Sequence, residues 1–182
     1  MNFGTNPRRS KNFKGNCPIN NNMNVFRLLT IFFVLAVFCG CTSSKADIES
    51  FFCPEDRCEA RVVHAINESK YTIDAAVYSF TSNEILEALV KAQERGVTVR
   101  FVGDYLQSKS AYSKTSIIGG RFLDTTMHNK FVIIDNSLVI TGSFNWTSNA
   151  DEKNAENIVF IFDKETAKEF GEEFLRLWVL SS

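Results

Sequence analysis

The chain has 182 residues, 45% hydrophobic and 23% charged, with 17 phenylalanines. This is enough apolar mass for one globular domain with a sizeable core, and it does not fit a disordered chain. Five of the 20 basic residues and none of the 21 acidic ones precede residue 41, leaving a net charge of −6 on the remainder. That balance excludes a protein that holds nucleic acid by bulk charge, so any anionic substrate must be attracted locally.

In chain order, residues 1–22 are polar and Asn-rich, with Arg8, Arg9, Lys11 and Lys14. Met23 opens "MNVFRLLTIFFVLAVFCGC", in which Arg27 is followed by an apolar run from Leu28 to Cys39 and a small-residue exit at Gly40-Cys41. A membrane-spanning helix needs about 20 such residues, and this run is too short. A basic start, short apolar run and small exit read as an export signal. The segment resembles the signal of a bacterial lipoprotein, in which the cysteine after the small residue is lipidated and becomes the mature N-terminus. Cys41 fits that role, with "TSSKAD" as a tether; Phe38 stands where Leu is usual, and Cys39 is the weaker alternative. A cleaved secretory signal or an uncleaved anchor are the other readings. The expectation is therefore an extension and lipoprotein-type signal over 1–41, with translation starting at Met1 or Met23. A domain over 42–180 would then be anchored by lipid to a membrane and face the periplasm or cell exterior, or be secreted.

Two cysteines follow in "FFCPEDRCE". Outside the cytoplasm, Cys53 and Cys58 are candidates for a disulfide closing a short loop, with two free thiols as the alternative. Zinc needs further ligands, and His64, six residues beyond Cys58, would point elsewhere on a shared helix.

"ADIESFFC" (46–53) reads as a first strand and 57–69 as a helix. "YTIDAAVYSF" (71–80) is a buried strand. A helix follows, with a Thr81/Glu84 capping box and a stop at Gly96. "VTVRFVGD" (97–104) is another strand. This alternation predicts parallel pairing with right-handed crossovers. Tyr105 to Thr126 reads as a loop or poorly formed helix. Its Lys109, Lys114 and Arg121 are as consistent with a solvated loop as with a substrate-binding patch. "FVIID" and "LVITG" form a hairpin turning at Asn136-Ser137. "NAENIVFIFD" (154–163) is the last strand, and Asp163 caps a final helix whose apolar stripe is Ala167, Phe170, Phe174, Leu177 and Trp178. The fold class is α/β, a mixed and mostly parallel sheet sandwiched by helices.

The hairpin carries the chemistry. His128 and Lys130 share parity at the start of one strand, about 7 Å apart along it. Gly142-Ser143-Phe144-Asn145 at the end of the next strand returns to the same rim. A nucleophile, a cation, a hydroxyl and an amide gathered there suit a phosphate on whose oxygens charge builds. Each residue alone reads as an ordinary strand end or turn; together, at one rim, they do not. Phe144 and Trp146 beside them fit core packing better than base stacking.

His128-x-Lys130, four residues, Asp135, six residues, Gly142-Ser143 fills every position of the HxKxxxxDxxxxxxGS pattern, and the chain resembles the phospholipase D superfamily. Asn145 in Gly-Ser-x-Asn, Glu156 in "NAEN" and the stretch "AVYSFTSNEILEALVKAQERGVTVR" extend the likeness to that superfamily's small bacterial endonucleases, over most of 46–180. The resemblance implies catalytic roles for His128, Lys130, Asn145 and Glu156. His128 would attack phosphorus to form a phosphohistidine, Lys130 and Asn145 would hold the non-bridging oxygens, and Glu156 would hydrogen-bond His128. Ser143 would support and Asp135 would be structural. No metal or other cofactor is implied.

A second histidine must protonate the leaving oxygen. His64 lacks the following lysine. Single-motif members of the family use a homodimer with a shared site, and the same is expected here. The substrate is expected to be nucleic acid cut by an endonuclease, with phospholipid cleaved by a phospholipase D as the alternative and an inactive envelope scaffold as a third option.

Overall fold

Residues 46–182 are described by a computed structural model; the signal-like segment with Cys41 lies outside the described residues. Seven strands make one sheet: β1 (Asp47–Cys53), β2 (Thr72–Val77), β3 (Thr98–Asp104), β4 (Arg121–Leu123), β5 (Lys130–Ile134), β6 (Leu138–Gly142) and β7 (Glu156–Phe162). The helices are α1 (Cys58–Glu68), α2 (Asn83–Glu94), α3 (Tyr105–Ser108), α4 (Ser148–Glu152) and α5 (Lys164–Leu180). Among the described residues no helix is long and apolar enough to cross a membrane.

The strand order is β1-β7-β6-β5-β2-β3-β4. The sheet is mixed, as expected, but the expectation of mostly parallel pairing is corrected. Only β2–β3 and β3–β4 pair in parallel; β1–β7, β7–β6, β6–β5 and β5–β2 are antiparallel. The physical reason is that a strand–helix–strand pattern fixes direction and leaves adjacency open. β1 and β2 do run the same way, but β7, β6 and β5 lie between them, and a hairpin strand can only enter antiparallel to its neighbour.

Both sheet faces are buried, so the strands alternate between two cores. Ala75, Val77, Val132, Ile134, Ile140 and Ile158 pack toward α1 and α2. Ala76, Phe131, Ile133 and Val139 pack toward α5 through Ala167, Phe174 and Leu177. The α5 stripe is the one its spacing predicts, and Asp163 caps the helix by accepting from Thr166 N at 2.8 Å. The cap of α2 is shifted by one from the expected Thr81: Ser82 is the N-cap, its hydroxyl accepting from Ile85 N at 3.0 Å. The Tyr105–Thr126 stretch holds α3, a 3₁₀ turn at Thr115–Ile118 and the edge strand β4, which three residues could not announce as a pattern.

Cys53 and Cys58 are joined by a disulfide, Cα to Cα 5.7 Å, between the end of β1 and the start of α1. Cys58 is buried while His64 on the same helix is exposed, in line with the rotation between them.

Candidate active site

Four connections converge on one rim of the sheet. His128 precedes β5 and is exposed, but the residues on either side of it are fixed. Met127 is buried, and its N–H donates to Asp104 Oδ2 at 3.1 Å. Asn129 O accepts from Tyr78 N at 2.8 Å. Lys130 opens β5 opposite Val77. Its ammonium donates to His128 O at 2.9 Å and stands between the two ring nitrogens, 3.2 Å from Nδ1 and 3.3 Å from Nε2.

The second half comes from the β6–β7 side. Gly142 pairs with Ile158, and a Cβ at Gly142 would fall onto the carbonyl oxygen of Asn157. Only glycine lets the two backbones approach this closely. Ser143 follows, donating its N–H to Asn157 O at 3.1 Å and accepting from Asn157 N on its hydroxyl at 3.1 Å. The Ser143 hydroxyl donates to Glu156 Oε2, and Asn154 Nδ2 donates to Glu156 Oε1 at 3.1 Å. Trp146 is tied to the β2–α2 connection: its N–H donates to Ser79 O, and its carbonyl accepts from Thr81 and Ser82. Phe144 and Trp146 are buried; Trp146 lies edge-on to Phe80, so both are core residues.

Two features bear on charge. Burial holds the Lys130 ammonium below the ordinary lysine range, with the Glu156 carboxylate opposing that shift. Glu156 thus acts on the Lys130 charge from the other half of the rim without forming an ion pair with it. Asn145 Oδ1 is buried with no hydrogen-bond partner, an unmet acceptor at the same rim.

The structure thus gathers His128 with Lys130, and Ser143 with Glu156. The expected hydrogen bond from Glu156 to His128 is not formed within this chain. Ser143 and Asn154 occupy the carboxylate, and Lys130 occupies the space against the imidazole. Asp135 lies at the other end of β5, five residues and about 16 Å from the site. Its carboxylate accepts from Lys70 N (2.9 Å), Tyr71 N (2.7 Å) and Thr72 N (2.9 Å). His64 lines a groove with Phe51, Phe160 and Asp135 in which His128, Lys130, Ser143 and Glu156 take no part. Among the described residues no group of three or more His, Cys, Asp or Glu is arranged to hold a metal.

Tyr78 packs on His128 and Asp104 holds the preceding Met127; neither is singled out by the sequence. Tyr78 and Asp104 stand at the carboxyl ends of β2 and β3, where open α/β sheets present residues to ligands. That position was the available signal.

A family model described as "Cardiolipin synthase, PLD-like domain" matches residues 62–178. The chain belongs to the phospholipase D superfamily. A phospholipase D of Rickettsia conorii is 34% identical over 143 residues, 75% of this chain and 70% of its own length. The human mitochondrial cardiolipin hydrolase is 31% identical over 126 residues, 65% of this chain and 50% of its own. Among solved structures, Nuc from Salmonella typhimurium, a phospholipase D family member, matches with a TM-score of 0.69 and 32% identity. The match covers 76% of this chain and 97% of that one. At the level these likenesses share, the phospholipase D-like domain described here is a phosphodiesterase, a hydrolase of phosphoric diesters.

Proposed function

We propose that this phospholipase D-like protein is a metal-independent endonuclease that works through a phosphohistidine. The observation that carries the chemistry is the Lys130 ammonium set against both ring nitrogens of His128. A ring nitrogen of His128 attacks phosphorus as the bond to the leaving oxygen breaks. Lys130 and Asn145 take the growing negative charge on the non-bridging oxygens, so no metal is called for. The leaving oxygen takes a proton from a second histidine. That histidine then accepts a proton from water, whose oxygen displaces His128 and breaks the P–N bond. His64 lines a different groove and lacks the following lysine, which favours His128 of a second copy and hence a homodimer sharing one site. Glu156, unbonded to His128 within the chain, would orient a histidine only in that assembly.

Nucleic acid as substrate is favoured by the near-complete span of Nuc and by the likeness to small bacterial endonucleases. Phospholipid is the second reading, favoured by relatives named phospholipase D and mitochondrial cardiolipin hydrolase. Export with a lipid anchor at Cys41 belongs to the same proposal. It draws support from the Cys53–Cys58 disulfide, since such bonds persist in oxidising compartments.

The test is to incubate the full chain with single- and double-stranded nucleic acid and with phospholipid vesicles, with and without EDTA. Nucleic acid is expected to be cut, undiminished by EDTA, at a rate that falls steeply as salt rises. Headgroup release from vesicles without cutting of nucleic acid would transfer the assignment to the second reading. His128→Asn is expected to lower turnover by at least about a thousandfold; a mutant that stays active would refute the phosphohistidine.

A further inference from the structure

Tyr78, just beyond β2, touches the His128–Lys130 pair in three ways. Its backbone N–H donates to Asn129 O, fixing the residue between them. Its ring centroid lies 4.5 Å from that of His128, the planes inclined by 54°. The Lys130 ammonium lies 5.2 Å from the same ring centroid, within cation–π range. The ring is itself held, because Gln107 Nε2 donates to Tyr78 Oη at 2.9 Å. Gln107 in turn is set by Asp104, whose Oδ1 accepts from Gln107 N at 3.0 Å while its Oδ2 accepts from Met127 N. One buried carboxylate therefore fixes both the glutamine that steadies Tyr78 and the residue preceding His128.

We propose that Tyr78 is a positioning residue for phosphoryl transfer. Its ring confines the His128 imidazole to the orientation that presents a nitrogen to phosphorus, its face keeps the Lys130 ammonium beside that nitrogen, and Gln107 braces the ring. The inference rests on the reading of His128 as nucleophile. The physical need is plain. His128 is exposed at a strand start, and an unconfined imidazole turns about two torsions, most of whose settings face away from a bound phosphate. A misplacement of about 1 Å at a reacting atom costs on the order of a hundredfold in rate. Of the contacts that bear on the ring, Lys130 is a flexible chain, whereas Tyr78 is rigid and braced. The same aromatic face also favours the positive charge that the imidazole gains when it carries the phosphoryl group.

The experiment uses the full chain and bis(p-nitrophenyl) phosphate, a diester that is neither nucleic acid nor lipid, so the outcome is independent of the natural substrate. Tyr78→Leu is expected to lower kcat by about tenfold or more with KM changed less than about threefold. Tyr78→Phe keeps the ring but loses its bond to Gln107, and Gln107→Ala removes the same bond, so both should lose a similar and much smaller part of kcat than Tyr78→Leu. An NMR readout accompanies these rates. The ring current of Tyr78 displaces the His128 ring-proton resonances, and that displacement should be lost in Tyr78→Leu and should shift in the same way in Tyr78→Phe and Gln107→Ala. His128→Asn run alongside separates the two levels of argument. If that mutant turns the diester over at the wild-type rate, above the protein-free background, the nucleophile reading fails. If it is dead while Tyr78→Leu works at the wild-type rate, the Tyr78 inference alone is overturned. Equal losses in Phe and Leu variants would also overturn it, since the hydroxyl and not the ring would then be responsible. Should Tyr78→Leu fail to fold, Gln107→Ala decides: unchanged kcat and unchanged His128 resonances count against the inference.

Discussion

Asp135 shows how a single residue in a catalytic pattern can serve the frame. Its φ is 53° and that of Asn136 is 50°, so the two occupy the centre of a hairpin turn that demands left-handed backbone. Asp and Asn tolerate that conformation better than other side chains. The turn therefore sits one residue earlier than the Asn136-Ser137 pair read from the sequence, closed by Ser137 N donating to Ile134 O at 3.1 Å. From there the carboxylate collects the N–H groups of Lys70, Tyr71 and Thr72 and ties the α1–β2 connection to the hairpin. Partial burial acts to raise its pKa, but those three donors, with Lys70 nearby, outweigh it and hold the group below the usual carboxylate range. A depressed carboxylate adds stability that is present above its unfolded pKa and is lost as pH falls through the folded value. Asp135→Asn is thus expected to destabilise by about 2 kcal/mol near neutrality. Its stability should also fall less steeply than that of wild type in acid unfolding below about pH 4. Equal acid limbs for the two proteins would refute this.

At the scale of elements, the site depends on how closely β6 and β7 approach. Gly142 is where the backbones nearly meet, and it delivers Ser143 to Glu156. Gly142→Ala is expected to force the strands apart, lowering Tm by several degrees and cutting activity through displacement of Ser143. A variant with wild-type Tm and turnover would contradict the close-approach argument. These elements were largely legible in the sequence, and for stated reasons. The alternation from Lys130 to Ile134 and the stripe of α5 are long enough to show a period, and the turn residues between β5 and β6 mark a hairpin. What escaped is short or non-local. β4 has three residues, α4 five, and the ring of Tyr78 reaches His128 from another strand, with Gln107 bracing it from a third segment. No local window contains that arrangement. Adjacency in the sheet escaped for the same reason, since the β1–β2 crossover spans three strands inserted later in the chain.

For the whole molecule, the proposed mechanism needs two histidines at one rim, whereas a single chain places His128 there and His64 in another groove. Activity is therefore expected to depend on concentration, falling as the square of protein concentration once dilution separates the copies. Size-exclusion and light scattering should report a dimer where specific activity is constant. A monomer that remains fully active at high dilution would remove the need for a second copy. The surface charge belongs to this scale too: a domain of net −6 gives a polyanionic substrate little long-range help, so productive binding must come from the few cations near the rim. The strand order carries one more consequence. β1 is an edge strand whose sheet partner is β7, with Asp47 opposite Phe162 and Cys53 opposite Glu156. A chain emerging N-terminus first holds its earliest strand idle for about a hundred residues, until the last one appears. Closing so long a loop is slow relative to local contacts. The sheet is completed only once β7 has emerged, a timetable that suits the export proposed above, in which the chain would pass a narrow channel before it folds.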